Sequence, residues 1–270
     1  MRLYLLVSDW TLAPAVVAGC ALAGVMYVEA AHRTRWPRAR NLAFLAGLLT
    51  ILVALDSGLD TYDDQLLSVH MVQHLLLLDI APPLMLAARP VPLLLRTLPP
   101  RPRRSFGRGL VAVGRAAHPA FCLALYATIV LTLHVPVVFD ATLRNQALHD
   151  LEHAGFLLAG LIVWWPLLGN PGPRRQLGTV THLLYITAAM VPMTLIGAYL
   201  DRDQSLFYPV YAGPAKLLGV SPIADQQQAG AIMWVVGTAL MALLGVVVVL
   251  AAMLEAERRQ RVRDLREALP

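Results

Sequence analysis

The chain has 270 residues, of which 57% are hydrophobic and 14% charged, with a net charge of +5. A mean hydropathy of +0.60 is too apolar for an ordinary soluble domain and marks a membrane protein. Two cysteines, Cys20 and Cys122, with no CxxC pair, exclude both a disulfide framework and a thiolate copper shuttle.

A hydrocarbon core roughly 30 Å thick is crossed by about 20 helical residues. Seven stretches of that order follow one another, near 11–31, 41–59, 67–88, 118–138, 147–168, 178–200 and 227–254. Val17-Ala18-Gly19-Cys20 resembles a lipoprotein cleavage box, but Asp9 precedes it and the apolar run continues through Val28, so the segment reads as an uncleaved first span. No internal repeat or separate soluble domain interrupts the pattern, and residues 1–270 read as one all-α transmembrane bundle.

The loops orient this bundle, because short cytoplasmic loops collect Lys and Arg. Arg33, Arg35, Arg38 and Arg40 follow span one, Arg89 to Arg115 follow span three, Arg174 and Arg175 follow span five, and Arg258 to Arg266 form the tail. The loop after span four has only Arg144, and the loops after spans two and six carry Asp56, Asp60, Asp63, Asp64 and Asp201, Arg202, Asp203, Lys216, Asp225. The expected topology is therefore N-terminus outside and C-terminus cytoplasmic. Basic residues confined to inner loops point to anionic lipid rather than nucleic acid, with Arg101, Arg103, Arg104 and Arg108 on a short interfacial helix.

On this map five of the eight histidines fall at outer span ends. His70 and His74 open span three, His134 closes span four, and His149 and His153 open span five. His32, His118 and His182 fall at inner ends, where hydrogen bonding to backbone or head groups accounts for them. Residues four apart share a helix face, so each HxxxH pair can hold one ion between two imidazoles. Two pairs plus His134 supply three to five nitrogen ligands for one pocket. Imidazole accepts zinc, copper, iron and nickel alike; Met71, Met193 and Met233, in the outer half, tilt the choice toward Cu(I). The bland alternative is helix-to-helix hydrogen bonding. Haem ranks lower, because two histidines on one helix face cannot grip opposite sides of a macrocycle.

Other polar residues are more ambiguous. Asp79 lies mid-span, roughly opposite the His70/His74 face and next to Pro82 and Pro83, where a kink is expected; it reads as an ion relay or as a buried hydrogen bond between helices. Asp225 is expected to cap span seven, with orientation of a ligand histidine as the alternative role. Trp164 and Trp165 at an inner end and Tyr208 and Tyr211 in an outer loop fit interfacial belts.

The runs SVHMVQHLLLLDIAPPLM from Ser68, LHVPVVFD from Leu133, HDLEHAGFLLAGLIVWWPLLG from His149, LFYPVYAG from Leu206 and SPIADQQQAGAIMW from Ser221 closely resemble the CtaG-like cytochrome c oxidase assembly factors associated with caa-type oxidases. The resemblance spans about residues 60 to 240. It implies a seven-span plasma-membrane protein, not an enzyme, that helps mature the oxidase through copper supply to its metal centres, with oxidase subunits as partners. The histidine motifs map to His70, His74, His134, His149 and His153, and the DQQ motif to Asp225 and its neighbours. Leu133 stands where the family's pattern has a tryptophan before the fourth-span histidine.

The expected mechanism is that Cu(I) from a carrier on the outer side is held by the cluster and passed to a docked oxidase subunit. Neutral imidazole is the ligating form, so capture weakens below a pH of about 6.5. Three rivals are distinguishable. A metal transporter or permease needs polar groups continuing toward the inner side, and beyond Asp79 few are seen. A metalloenzyme needs a general acid or base, for which Glu152 or Asp150 would serve. A scaffold for oxidase assembly needs no metal at all.

Overall fold

In a computed structural model, residues 10–169 and 178–267 are described, and they are helical with no strand among them. Asp9, Arg174 and Arg175, on which part of the topology reading rests, lie outside these residues. Among the described residues six helices are long and apolar enough to cross a membrane, or seven if one bent pair counts as a single span. The first two are α1 (Pro14–Thr34) and α2 (Arg38–Asp56), followed by the short α3 (Gly58–Tyr62). Asp56 ties the first pair together: its carboxylate accepts from the backbone N–H of Ala13 at 2.6 Å, so α1 begins where α2 ends.

The third span is α4 (Leu67–Leu75), a π-helical turn (Leu76–Ile80) and α5 (Ala81–Ala87). Pro82 and Pro83 have no N–H to return to the carbonyls four residues earlier, and the backbone accommodates them with the wider turn, Ala81 N–H pairing with Leu76 O. The expected proline kink is thus a π-turn within a continuous span. The Leu78 carbonyl meets the fifth span there, and a Cβ on Gly160 would stand 2.5 Å from that oxygen. Close backbone approach over a small residue is how helices pack where the surrounding solvent is as apolar as their side chains.

Past α6 (Pro90–Thr97), the basic stretch forms α7 (Pro100–Ala116), with Arg101, Arg103, Arg104, Phe106 and Arg108 all exposed. The fourth span departs from expectation. It is two helices, α8 (Pro119–Leu133) and α9 (Pro136–Arg144), bent by 67° at His134 and Val135. The cause is Val135-Pro136: the residue before a proline is driven to extended backbone, and Val135 has φ −64 and ψ 127.

The remaining long helices are α10 (Gln146–Leu168), α11 (Thr179–Arg202) and a last, interrupted one. The last comprises α13 (Pro222–Ala231), a π-turn (Ile232–Gly237) and α14 (Thr238–Glu267), and so begins five residues before the expected 227. The short α12 (Ala212–Leu217) lies in the loop before it. Helices α11 and α13 touch through glycines, a Cβ on Gly230 meeting Gly197 O at 2.5 Å and Asp201 N at 2.4 Å.

Three expectations are corrected by burial. Trp164 is 1% exposed, Tyr208 0% and Tyr211 1%, so all three are core residues rather than members of interfacial belts. Trp164 continues the buried stripe of α10, and the tyrosine loop folds inward over the histidines. His118 and His182 behave as expected of inner-end histidines: His118 caps α8 through Ala120 N–H, and the His182 ring meets Gly178 O at 3.1 Å.

Candidate metal centre

On α10 the buried residues His149, Glu152, His153, Phe156, Ala159, Gly160, Val163 and Trp164 recur at helical spacing, so one stripe faces the bundle along its whole length. Its first turn meets α4, on which His70, Gln73 and His74 are each 0% exposed. Ring centroids lie 5.2 Å apart for His70 and His149, 5.6 Å for His70 and His153, and 4.3 Å for His149 and His153. His134, at the break of the fourth span, is 6.1 Å from His74. The five histidines named from sequence therefore converge, at the end of the bundle where α1 begins.

Hydrogen bonds assign the proton on two of the rings. The Tyr211 hydroxyl donates its single hydrogen to the Asp63 carbonyl at 2.8 Å and lies 2.9 Å from His70 Nδ1, so Nδ1–H donates to it and Nε2 carries the lone pair. That nitrogen is 2.7 Å from His74 Nε2. The same logic gives His134, whose Nδ1 donates to Val130 O at 2.8 Å, a free Nε2. Donation of the far ring nitrogen to a carbonyl or hydroxyl is the arrangement that orients metal-ligating histidines.

Glu152 is fully buried, with oxygens 3.9 Å from His70 Nε2 and 3.8 Å from His74 Nε2. From sequence it was a candidate catalytic acid or base and not a ligand. Its place three residues after His149, on the same face as the HxxxH pair, was the available signal. Asp63 sits 3.6 Å from His149 Nε2; burial is the main cause that pushes its carboxyl up to about 8, with the nearby Asp60 charge adding to it. Phe156 stacks on His74 with centroids 3.7 Å apart, and Phe139 lies 5.2 Å from His70, walling the cluster with apolar rings.

The polar atoms here fit a bound cation. His74 Nδ1, His134 Nε2, His149 Nε2, His153 Nε2 and both Glu152 oxygens are buried without a hydrogen-bond partner. Buried polar atoms are paired in nearly all proteins, so a concentration of orphans in one place calls for a guest. Among the described residues two groups have ligand atoms all within 4.8 Å of one another: His70, His149 and His153, and His70, His74 and Glu152.

The auxiliary candidates fall elsewhere. Met71, Met193 and Met233 are buried in the apolar core, Met71 turned about 100° around α4 from His70. Asp79 is 1% exposed in the π-turn and has Trp164 and Tyr126 for neighbours, apart from the histidines. Asp225 does not cap its own helix, a task performed by Ser221 through Ala224 N–H. Its carboxylate accepts from Leu67 N–H at 2.7 Å and from the Ser68 hydroxyl at 2.5 Å, capping α4. The adjacent Gln226 accepts from Phe207 N–H and donates to Ser205 O, which pins the tyrosine loop. Tyr208, on that loop, donates to His134 O at 2.8 Å. The DQQ motif thus braces both sides of the histidine site.

Fold and site together define a polytopic helical membrane protein with a buried cluster of histidines walled by aromatic rings. The chain belongs to the cytochrome c oxidase caa3 assembly factor family (Caa3_CtaG), whose sequence model matches residues 22–255. It is 30% identical over 268 residues to the uncharacterized protein ML1998 of Mycobacterium leprae, covering 95% of this chain and 40% of that protein. It is 28% identical over 253 residues to the uncharacterized protein Mb0105 of Mycobacterium bovis, covering 86% of this chain and 37% of that one. The chain thus spans about two fifths of the length of these relatives. No solved structure matches it.

Proposed function

We propose that this protein is a non-catalytic assembly factor that holds copper, as Cu(I), in the histidine cluster and hands it to a cytochrome c oxidase subunit. The observation that carries the reading is the set of orphaned, buried imidazole nitrogens converging from three separate spans, in a chain that belongs to a family of oxidase assembly factors. Neutral imidazoles in a dry, apolar-walled site suit a soft monovalent ion, whose single charge is the least costly to bury. The loop charges support a reading in which this end of the bundle faces out of the plasma membrane, where a copper carrier and the oxidase subunit would meet it. The exposed arginines of α7 then lie against anionic lipid on the cytoplasmic side.

The test is anaerobic Cu(I) titration of the purified protein against a His70/His74/His149/His153 quadruple alanine variant. Stoichiometric binding by the natural chain alone supports the reading, and equal binding by both overturns it. In proteoliposomes, retained binding without copper flux supports assembly, whereas flux identifies a permease.

A further inference from the structure

His70 belongs to both groups of candidate ligands, and its geometry makes those groups mutually exclusive. With Nδ1–H committed to Tyr211, only Nε2 is left to bind, and one lone pair serves one ion. The two groups also differ in chemistry. His70, His149 and His153 offer three neutral nitrogens, and His149 is the most exposed of the five histidines at 8%, next to Asp63. His70, His74 and Glu152, all 0% exposed, offer two nitrogens and a carboxylate once the His74 proton that faces His70 Nε2 has moved to the unpaired His74 Nδ1, with His74 one turn further along α4.

We propose that the cluster is a one-ion, two-position site: Cu(I) sits at the mouth on His70, His149 and His153, and a divalent ion sits deeper on His70, His74 and Glu152. This rests on the metal-holding function above and adds to it a selection by charge. Cu(I) on three neutral imidazoles and a divalent ion on two imidazoles and a carboxylate both leave one net positive charge buried, whereas a divalent ion on imidazoles alone leaves two. A hard oxygen donor likewise favours the divalent ion. The reach is short. Metal–nitrogen and metal–oxygen bonds of about 2.0–2.1 Å separate tetrahedral ligand atoms by about 3.4 Å. Each Glu152 oxygen is within roughly half an ångström of that distance from the imidazole it faces, Oε2 at 3.9 Å from His70 and Oε1 at 3.8 Å from His74, and the 2.7 Å His70–His74 separation needs to open by a similar amount.

The purified full chain, loaded either anaerobically with Cu(I) or with redox-inert Zn(II), tests this by metal content and by counting imidazole ligands with X-ray absorption. The expected result is one ion per chain in each case, with three imidazoles around Cu(I) and two around Zn(II). Glu152→Gln, nearly isosteric, should raise the Zn(II) count to three and leave the Cu(I) spectrum unchanged, which also shows that the variant is folded. Two ions bound at once, equal imidazole counts in the natural chain, or a Zn(II) count unmoved by Glu152→Gln overturns the two-position site while leaving Cu(I) holding intact. Failure of the natural chain to take up Cu(I) overturns the function on which it rests.

Discussion

Asp225 caps a helix that lies 157 residues before it in the chain: its carboxylate receives the Ser68 hydroxyl and the Leu67 N–H at the start of α4, two residues ahead of His70. The bond fixes the rotation and height of the helix that carries the first histidine pair. It also satisfies backbone donors that have no intrahelical partner.

Asp225→Ala is therefore expected to act on both stability and metal affinity. Loss of an N-cap costs about 1 kcal/mol, and the buried donors left unpaired raise this to roughly 2–3 kcal/mol. Ser221→Ala, which removes only the local cap of α13, should cost no more than about 1 kcal/mol. Thermal unfolding in detergent, paired with Cu(I) titration, checks the difference: only Asp225→Ala should lower both melting temperature and copper affinity.

Tyr211→Phe separates orientation from ligation. The phenol touches no candidate ion position, yet it receives the His70 Nδ1 proton and is itself held by Asp63 O. Burial is the main cause that pushes the phenol well above its ordinary range, so the hydroxyl keeps its proton. Loss of such an orienting partner typically weakens a metal by 10–100-fold. A Cu(I) affinity reduced within that range, with stoichiometry unchanged, is the expected titration result.

Gly230→Ala probes the packing that holds the seventh span. A methyl there would press on the backbone of Gly197 and Asp201, neither of which is a flexible side-chain end, and overpacking of this kind costs about 1–3 kcal/mol. Gly19→Ala, with nothing within 4 Å, should leave the melting temperature unchanged or slightly higher, since alanine is the better helix former. A melting curve for each variant decides it.

The spans and the two HxxxH pairs were legible because each is a local signal: a run of apolar residues about as long as the bilayer is thick, and a fixed spacing on one helix face. What was not legible depends on contacts distant in sequence. Asp225 looked like the cap of the helix it opens, and nothing nearby pointed to Ser68. Tyr208 and Tyr211 looked interfacial because hydropathy gives a loop no depth, whereas the bonds from Gln226 to Ser205 and Phe207 draw that loop inward. The fourth span looked continuous because its composition is continuous; Pro136 acts on the conformation of Val135, which a hydropathy window does not register. Glu152 reads from sequence as an acid or base and not as a ligand, because its approach to His70 and His74 exists only once the opposing helix is in place.

The five histidines should not contribute equally. His70 is common to both candidate groups, and its replacement by alanine removes a ligand from either, so no alternative set of three remains. His149 and His153 belong only to the neutral group and His74 only to the carboxylate group, so each leaves one group intact. His134 is in neither. Its Nδ1 is spent on Val130 O, its carbonyl anchors Tyr208, and it stands at the break between α8 and α9. The expected order of loss in Cu(I) affinity is His70→Ala largest, at more than about 100-fold, beyond the usual effect of an orienting residue. His149→Ala and His153→Ala follow, and His74→Ala and His134→Ala come last. His134→Ala should instead show its effect in thermal unfolding, where the cavity left beside Phe156 and Phe139 costs roughly 1–3 kcal/mol. Competition titrations with a Cu(I) chelator on the five single variants give the order directly. A loss for His134→Ala matching that for His70→Ala would mean that the ion sits lower and nearer the fourth span than these ligand groups allow.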